Sequence, residues 1–362
     1  MSEQKKETKA QRAERLKAAK NPWEALDELR AFCRRGFDAI PPEWLTTYLR
    51  WWGVYTQGDG AGVLGGVGGE GRAVPFFMLR IRIPGGLLLA HQLRAVADLA
   101  QRHARGVADI TVRQNVQLHW ISAEALPEVL DSLFRCGLTS IASCGDDTRN
   151  ITGCPLAGLD AHELCDASPL VFEASRLLAG NPDFYNLPRK YKICITGCRL
   201  WCSYPEINDL ALTAVERSRN GRGEPGFSLR VGGGLSTQPH FALPLGVFVR
   251  PEQTLPVIRA VTEIFRDSAV LRESRERARL KFLFLHHGWT ATRFLQELEC
   301  RLGYPLEPHE GLEEIPDDVH RDHAGIHPQK QPGLCYVGVS VERGRITAGQ
   351  LRAAADLAER FA

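Results

Sequence analysis

Apolar and polar residues alternate along two stretches of the chain and recur at helical spacing between them. In FFMLRIRI, every second residue from Phe77 to Ile83 is apolar, which predicts a strand with one buried face. In ITVRQNVQLHW, residues 110–120, five of the even positions are apolar, which predicts a second strand of the same kind. The segment between them predicts a helix whose buried side carries Leu89, Leu93, Val96 and Ala100.

This strand and helix pattern occurs twice in the chain. Residues 350–362 match residues 92–104 at ten of thirteen positions without a gap, and Gly344 falls where Gly86 does. The first copy continues into a second strand, whereas the second copy stops at its helix. We therefore expect an incomplete molecule whose remaining half lies elsewhere. Its last strand and helix would then lack partners, so the chain alone should associate or aggregate.

The polar faces of the two predicted strands are rich in cations. Arg80 and Arg82 share one face, and the other strand presents Arg113, Gln117 and His119 without an acidic residue. Further along, RKYKICI directs Lys190 and Lys192 to one side of a strand and Tyr191 and Ile193 to the other. Two interpretations remain open: ordinary exposed faces, or a cage for an oxyanion or a carboxylate-rich cofactor formed by Arg82, Arg113, Arg149, Lys190 and Lys192.

Composition restricts the class of protein. A chain of 362 residues with 44% hydrophobic content can form about two or three domains. No run reaches the ~18 apolar residues of a membrane span, and the first twenty residues lack the apolar core of a signal peptide. We therefore expect a cytoplasmic protein with no membrane partner and with reduced cysteines. A net charge of +2 gives no argument for nucleic acid.

Cysteines form one short-spaced pair. Cys198 and Cys202 are spaced C-x3-C, and Cys154 lies upstream in TGCP. A cubane iron–sulfur cluster generally takes four thiolates, so these cysteines are either partial cluster ligands or packing residues. From the sequence we assign no residue as a metal ligand.

Two other motifs predict no ligand site. His320, His323 and His327 are flanked by prolines and have no Cys partner, so we do not expect a metal there. The glycines of residues 58–71 have a dinucleotide-binding spacing, but no alternating strand precedes them. Downstream, helices are predicted near 251–267 and 274–287, with a hairpin around NGRGEPG.

Six motifs in order resemble the siroheme and iron–sulfur nitrite and sulfite reductases: LRIRIPGG, TVRQNVQLHW, TRNITGCPLAG, LPRKYK, EINDLAL and VGGGLS. The resemblance runs from about residue 38 to the last residue. It implies an α+β fold: a ferredoxin-like half-domain followed by a larger α+β siroheme-binding type domain, then a truncated second half-domain. The implied segments are an N-terminal arm and packing segment (1–74), a ferredoxin-like half-domain (75–142), an α+β reductase domain (143–304), a linker (305–332) and the truncated start of a second half-domain (333–362).

The resemblance also implies an activity, the six-electron reduction of nitrite to ammonia or of sulfite to sulfide at a siroheme bridged to a 4Fe–4S cluster. On this basis the catalytic, substrate-pocket residues are Arg82, Arg149, Lys190 and Lys192. The residues near the siroheme carboxylates are Arg113, Gln117, Arg189 and Lys281. The implied partners are the small anion and an electron donor such as ferredoxin or a flavoprotein.

Two features depart from the family pattern or leave the substrate open. The family's four cluster cysteines, C-x5-C and C-x3-C, lie in its second copy, so we expect cluster ligands in a missing second half or companion chain. Lys192 resembles the sulfite enzymes, whereas RQNVQLHW and RNITGCPLAG resemble the nitrite enzymes, and we favour nitrite. The alternatives are a non-catalytic siroheme or tetrapyrrole-binding protein and an inactive truncated fragment.

Overall fold

The computed structural model describes residues 7–58, 73–219, 222–309 and 322–361. The helices are α1 (Lys9–Ala19), α2 (Pro22–Arg34), α3 (Leu49–Trp51), α4 (Ala90–His103), α5 (Leu126–Arg135), α6 (Ser168–Leu178), α7 (Thr254–Asp267), α8 (Phe282–His286), α9 (Ala291–Leu302) and α10 (Ala348–Phe361). The strands are β1 (Val54–Gly58), β2 (Ala73–Ile81), β3 (Val107–Ile110), β4 (Val116–Ser122), β5 (Ile193–Thr196), β6 (Leu210–Arg219), β7 (Arg222–Val231), β8 (Leu243–Val249), β9 (Glu307–Pro308), β10 (Gly325–Pro328), β11 (Cys335–Gly338) and β12 (Arg345–Thr347).

These elements form two compact units. We call residues 13–150 with 341–362 the repeat unit, and residues 1–12 with 151–340 the pocket unit. The glycine-rich stretch with Gly60, Gly62 and Gly65 lies outside the described residues. No described helix is long and apolar enough to cross a membrane.

The repeat unit contains an antiparallel sheet in the order β1-β2-β4-β3-β12. The predicted alternation is confirmed in β2, where Phe77, Leu79 and Ile81 are fully buried. Arg80 lies on the opposite face and pairs across the sheet with Gln117 of β4. One face of this sheet therefore belongs to the core, as a period of two requires.

The predicted second strand is wrong in its centre. Residues 107–122 form a hairpin, β3 and β4, and the turn between them places Gln114 at a φ of 55°. The N–H of Thr111 donates to the carbonyl of Asn115 at 2.9 Å and closes the turn. Val112 is fully exposed, and Arg113 lies in the turn rather than on a strand. The alternation of apolar and polar residues continues through the turn, so the sequence pattern does not reveal the turn.

The internal repeat is confirmed as a structural duplication. α4 and α10 have fourteen residues each, and each follows a short 3-10 turn that ends in a left-handed glycine, Gly86 or Gly344. The two helices pack on each other, and their ion pairs are reciprocal. Arg94 pairs with Asp356, and Arg352, the counterpart of Arg94, pairs with Asp98, the counterpart of Asp356.

The expectation of an unpartnered last strand and helix is wrong for α10 and the strand directly before it. β12 pairs with β3 from Arg345 to Thr347, and α10 packs against α4. The N–H of Ala348 also donates to the carbonyl of Gly106 at 2.9 Å. The stretch that corresponds to β2 in the repeat lies in and after β11, which pairs with β10 in a separate sheet and leaves Val337 and Val339 exposed.

The pocket unit contains a mixed sheet in the order β5-β6-β7-β8-β9, in which β5 and β6 are parallel. Its core includes residues of α6, α7 and α9, with Phe227, Phe265 and Phe294 fully buried. The helix predicted at 251–267 is confirmed as α7 with a preceding 3-10 turn. The helix predicted at 274–287 is mostly wrong, because only Phe282–His286 is helical.

The predicted linker at 305–332 contains two of the described strands. β9 pairs with β8 at the edge of the mixed sheet, and β10 pairs with β11 in a separate two-stranded sheet. The hairpin predicted around NGRGEPG is present as β6 and β7, with its turn outside the described residues. The boundaries of the five predicted segments stay predictions.

Candidate functional site

A cationic cavity of about 400 Å³ lies in the pocket unit. We call it the basic pocket; it is lined by Arg189, Lys190, Leu235, Ser236, Thr237, Arg275, Glu276, Arg279, Lys281 and Phe282. Five of these residues are basic and one is acidic. Three of the predicted site residues, Arg189, Lys190 and Lys281, therefore line one cavity.

A buried ion pair supports one wall of the basic pocket. Arg279 donates to both carboxylate oxygens of Asp209, at 2.9 and 2.7 Å. The backbone N–H of Lys192 donates to the same carboxylate at 2.8 Å. Asp209 therefore ties the segment before β5 to the Arg279 segment, and it offsets one of the five positive charges.

Lys281 holds a loop rather than presenting a free charge. Its ammonium donates to the carbonyls of Gly234 at 3.3 Å and Leu235 at 3.0 Å, and also to that of Gln238. An ammonium has three protons, so all of its donors have acceptors. Burial, and then the nearby Arg279, lower the pKa of Lys281. Its predicted contact with a siroheme carboxylate stays a prediction, and its observed contacts position the loop.

The loop that Lys281 holds is restricted further by its glycines. A Cβ on Gly233 would come within 2.5 Å of the backbone oxygens of Asn208 and Glu206. Gly232 has a φ of 82°, and its carbonyl lies 2.9 Å from Nδ1 of His240. The VGGGLS motif therefore builds a close backbone crossing that sets this wall of the pocket.

The segment before β5 supplies further positive charges. Tyr191 is buried and stacks on Phe265 with ring centroids 5.2 Å apart, while Lys190 and Lys192 are half-buried. The predicted alternation of buried and less buried residues is therefore confirmed here. Arg275, which the sequence analysis missed, donates to the carbonyl of Pro188 at 3.3 Å and lines the same pocket.

In the repeat unit, predicted site arginines bind the loop of residues 139–150. Arg82 is only 2% exposed and donates to the carbonyls of Ala142 and Thr148, at 3.3 and 2.8 Å. Burial lowers the pKa of Arg82 to about 10, partly opposed by Asp147. Arg149 donates to two further carbonyls of this loop. Both arginines therefore stabilise this loop: Arg149 belongs to it, and Arg82 reaches it from the end of β2.

Asp147 is a buried carboxyl in the same loop. It is fully buried and accepts from the N–H of Thr148 at 2.7 Å. Burial raises its pKa to about 7, although the Thr148 N–H and Arg82 act in the opposite direction. This carboxyl therefore changes charge near neutral pH.

The two remaining predicted residues also have partners inside the repeat unit. Arg113 donates from Nη2 to the carbonyl of Asn150 at 2.7 Å. Gln117, with its amide oxygen facing Arg80, accepts from that guanidinium at 2.6 and 3.1 Å. The convergence of Arg82 and Arg149 with Lys190 and Lys192 of the pocket unit stays a prediction.

Three cysteines meet in the pocket unit. The sulfur atoms of Cys154, Cys198 and Cys202 all lie within 4.8 Å of one another, and those of Cys154 and Cys202 are 3.9 Å apart. Hydrogen bonds from Cys154 and then Cys198, with a smaller effect of His323, lower the pKa of Cys202 to about 3. Hydrogen bonding within the group raises the pKa of Cys154. The three residues could hold a metal, although the sequence analysis assigned no metal ligand.

Comparisons with known proteins agree with this architecture. A family model described as the nitrite and sulphite reductase 4Fe-4S domain matches residues 144–306. A second model, the nitrite/sulfite reductase ferredoxin-like half domain, matches residues 71–134 and 327–362. The second model therefore matches the chain in two places, as the internal repeat requires.

Curated relatives include both kinds of reductase. A ferredoxin–nitrite reductase of Leptolyngbya laminosa is 38% identical over 94% of this chain and 64% of its own length. A sulfite reductase [ferredoxin] of Mycobacterium tuberculosis is 39% identical over 96% of this chain and 61% of its own length. The solved structure of the Mycobacterium tuberculosis NirA protein matches with a TM-score of 0.87 and 38% identity, over 96% of this chain and 63% of that one.

The chain thus spans about three fifths of the length of the relatives it matches. The α+β fold with a ferredoxin-like half-domain is confirmed by these matches. The same matches also support siroheme and a 4Fe–4S cluster as the cofactors of these reductases. On the two domain models and these relatives, the chain belongs to the nitrite and sulfite reductase family.

Proposed function

We propose that this chain supplies the cationic substrate and siroheme pocket of a reductase that converts nitrite to ammonia, or sulfite to sulfide, with six electrons. The basic pocket is the observation that carries the proposal. It collects five basic side chains around about 400 Å³, and the LPRKYK, EINDLAL and VGGGLS motifs form or support its walls. Asp209 and Glu276 offset two of these charges, and an anionic ligand would offset the excess that is left.

The pocket suits the carboxylate arms of siroheme. Arg189, Lys190 and Arg275 line it, and the hydroxyl residues Ser236 and Thr237 lie on the loop that Lys281 fixes. Arginine forks match planar carboxylates, so we assign the arms to Arg189 and Arg275. Siroheme, when bound, supplies the electron chemistry at its iron.

Among the predicted catalytic residues, we assign Lys190 and Lys192 to the substrate anion and its protons. Both are half-buried, so an anion can reach them while the field of each ammonium is less screened than in bulk water. Arg149 stays in the proposed anion-binding group. Arg82 is almost wholly buried and donates to two backbone carbonyls, so we assign it to holding the 139–150 loop.

Nitrite is the proposed substrate and ferredoxin the proposed donor. A nitrite reductase and a sulfite reductase match at nearly equal identity, and both names include ferredoxin. In the described residues, three cysteines of this chain lie together, which is one fewer than a cubane cluster takes. We propose that the 4Fe–4S cluster is held by four other thiolates.

The test is turnover by the protein purified from its native host with any subunits that accompany it. Nitrite- and sulfite-dependent oxidation of reduced methyl viologen is measured, with ammonium and sulfide quantified as products. Lys190→Gln should lower kcat/KM roughly 100-fold or more, because it removes a charge placed at the reacting anion. Lys9→Gln, which changes an exposed lysine of α1 outside the basic pocket, is the matched control and should leave kcat/KM unchanged.

Two outcomes would contradict the proposal. Siroheme absorbance without turnover of either anion would favour a non-catalytic tetrapyrrole-binding protein. Equal kcat/KM for Lys190→Gln and the wild type would remove the basic pocket from the reaction.

A further inference from the structure

The cysteine group of the pocket unit joins two loops that are distant in sequence. Cys154 follows a parallel bridge between Thr152 and Cys194, and Cys198 and Cys202 follow β5. The N–H of Ile195 donates to the carbonyl of Thr152 at 2.9 Å and fixes the register of the two loops. The three sulfurs therefore meet because the backbone of β5 places them, and not through a chance contact of flexible side chains.

The sulfur spacing matches that of one metal ion. A tetrahedral ion with Zn–S bonds of about 2.3 Å separates its sulfur ligands by about 3.8 Å. Cys154 and Cys202 are 3.9 Å apart, and all three sulfurs lie within 4.8 Å. A single ion therefore fits the group, whereas a cubane cluster places its thiolates on four different metal atoms and takes a fourth cysteine.

His323 lies beside this group and is the candidate for a nitrogen ligand. Its imidazole interacts with the Cys202 thiol, and both of its ring nitrogens are buried. A metal ion would give one of these buried nitrogens a strong partner. The sequence argument against a histidine site was the lack of a Cys partner, and the structure supplies that partner.

The backbone holds His323 in this place. A Cβ on Gly338 would lie 1.5 Å from the carbonyl oxygen of His323, so the two segments cross closely. The N–H of Lys330 donates to the carbonyl of Leu159 at 2.8 Å, and the Gln331 side chain donates to the carbonyl of Gly158 at 2.9 Å. These bonds attach the β10–β11 segment to the loop that follows Cys154.

We propose that Cys154, Cys198 and Cys202 bind one Zn²⁺ ion, and that the His323 imidazole shifts onto it as the fourth ligand of a tetrahedral site. Three thiolates and one imidazole are a ligand set that structural zinc sites use. Asp160 is buried and accepts a hydrogen bond from the Cys198 sulfur at 3.4 Å. This contact orients Cys198 as a ligand. The ion ties together three loops of the pocket unit, and its binding releases the thiol protons.

The test measures metal and acid-labile sulfide per chain in this 362-residue chain, expressed by itself with zinc. One zinc and no labile sulfide are expected in the wild type. Cys198→Ser and His323→Asn should be substoichiometric in zinc, whereas Cys300→Ser, an exposed cysteine, should retain one zinc. Asp160→Asn should weaken zinc affinity about 10- to 100-fold, measured by competition with a chelator.

Cobalt substitution gives a second readout that does not depend on how well the variants fold. Wild-type protein loaded with Co²⁺ should show sulfur-to-cobalt charge transfer and the strong visible bands of a tetrahedral site. Iron with labile sulfide in place of zinc would overturn the proposal, as would wild-type protein without bound metal or equal zinc in the Cys198 and Cys300 variants. Because metal is measured rather than turnover, failure here is distinguishable from failure of the proposed reductase function.

Discussion

Removing one partner of the Asp209–Arg279 ion pair should destabilise the pocket unit far more than removing an exposed one. The Asp209 carboxylate is fully buried, and the Arg279 side chain is 8% exposed. Asp209→Asn keeps the shape but leaves the guanidinium buried without a countercharge, which costs about 3–5 kcal/mol. Because asparagine still accepts one hydrogen bond, we expect about 3 kcal/mol, more than a 100-fold change in the unfolding equilibrium.

Hydrogen exchange in increasing urea is the assay, because it reports the two units separately. Peptides of β5 and β6 give the free energy of opening of the pocket unit. Glu297→Gln is the matched control in the same unit: it breaks the half-exposed pair with Arg301, and a loss of about 0.3–0.5 kcal/mol is expected.

A double variant separates the ion pair from other effects of the substitution. Asp209→Asn with Arg279→Met removes both charges, so its loss should be clearly smaller than the sum of the single losses. If Asp209→Asn costs no more than Glu297→Gln, the pair does not hold the pocket wall and the reasoning is refuted. Simple additivity of the two single variants would refute it as well.

Three further predictions concern the repeat unit. Gly344→Ala should cost more than Gly86→Ala in urea unfolding, because both glycines are left-handed but only the first would place a Cβ 2.5 Å from a backbone oxygen. Burial raises the pKa of Asp147 from its ordinary value of 3.8 to about 7, so its contribution to stability falls as pH rises from about 4 to 7. Asp147→Asn should therefore flatten that slope, by up to about 1.4 kcal/mol per pH unit. Arg94→Gln and Arg352→Gln should each change the stability only slightly, since both ion pairs lie on the surface and are screened by solvent, and a double-mutant cycle against Asp98 should show coupling only to Arg352.

The sequence predicted the strands best where one face is buried. In β2 the apolar positions coincide with the fully buried residues, because a period of two directly reflects the geometry of a sheet. It failed at residues 111–115, where a left-handed Gln114 turns the chain while the alternation continues. It also failed at 274–281, where Arg275 and Arg279 bind Pro188 and Asp209, so that tertiary contacts override helix propensity.

The candidate site was predicted in part. The sequence identified Arg189 and Lys190, which line the basic pocket. It could not show which predicted cations donate their N–H groups to backbone carbonyls of the protein itself. Lys281 and Arg82 both donate to backbone carbonyls, a role that leaves no pattern in the sequence. His323 lies more than 100 residues beyond Cys202, and only the fold brings the imidazole to the thiol.

β5 connects the basic pocket with the proposed zinc site. Lys192 precedes this strand and is tied through its N–H to Asp209, and Cys198 follows the strand two residues after it ends. A four-residue strand that is fixed at both ends cannot shift without disturbing one site or the other. Removing the metal should therefore increase hydrogen exchange in residues 190–204 while exchange in the repeat unit stays unchanged. Unchanged exchange in that segment after complete metal removal would show that the Asp209 contacts hold β5 without the ion.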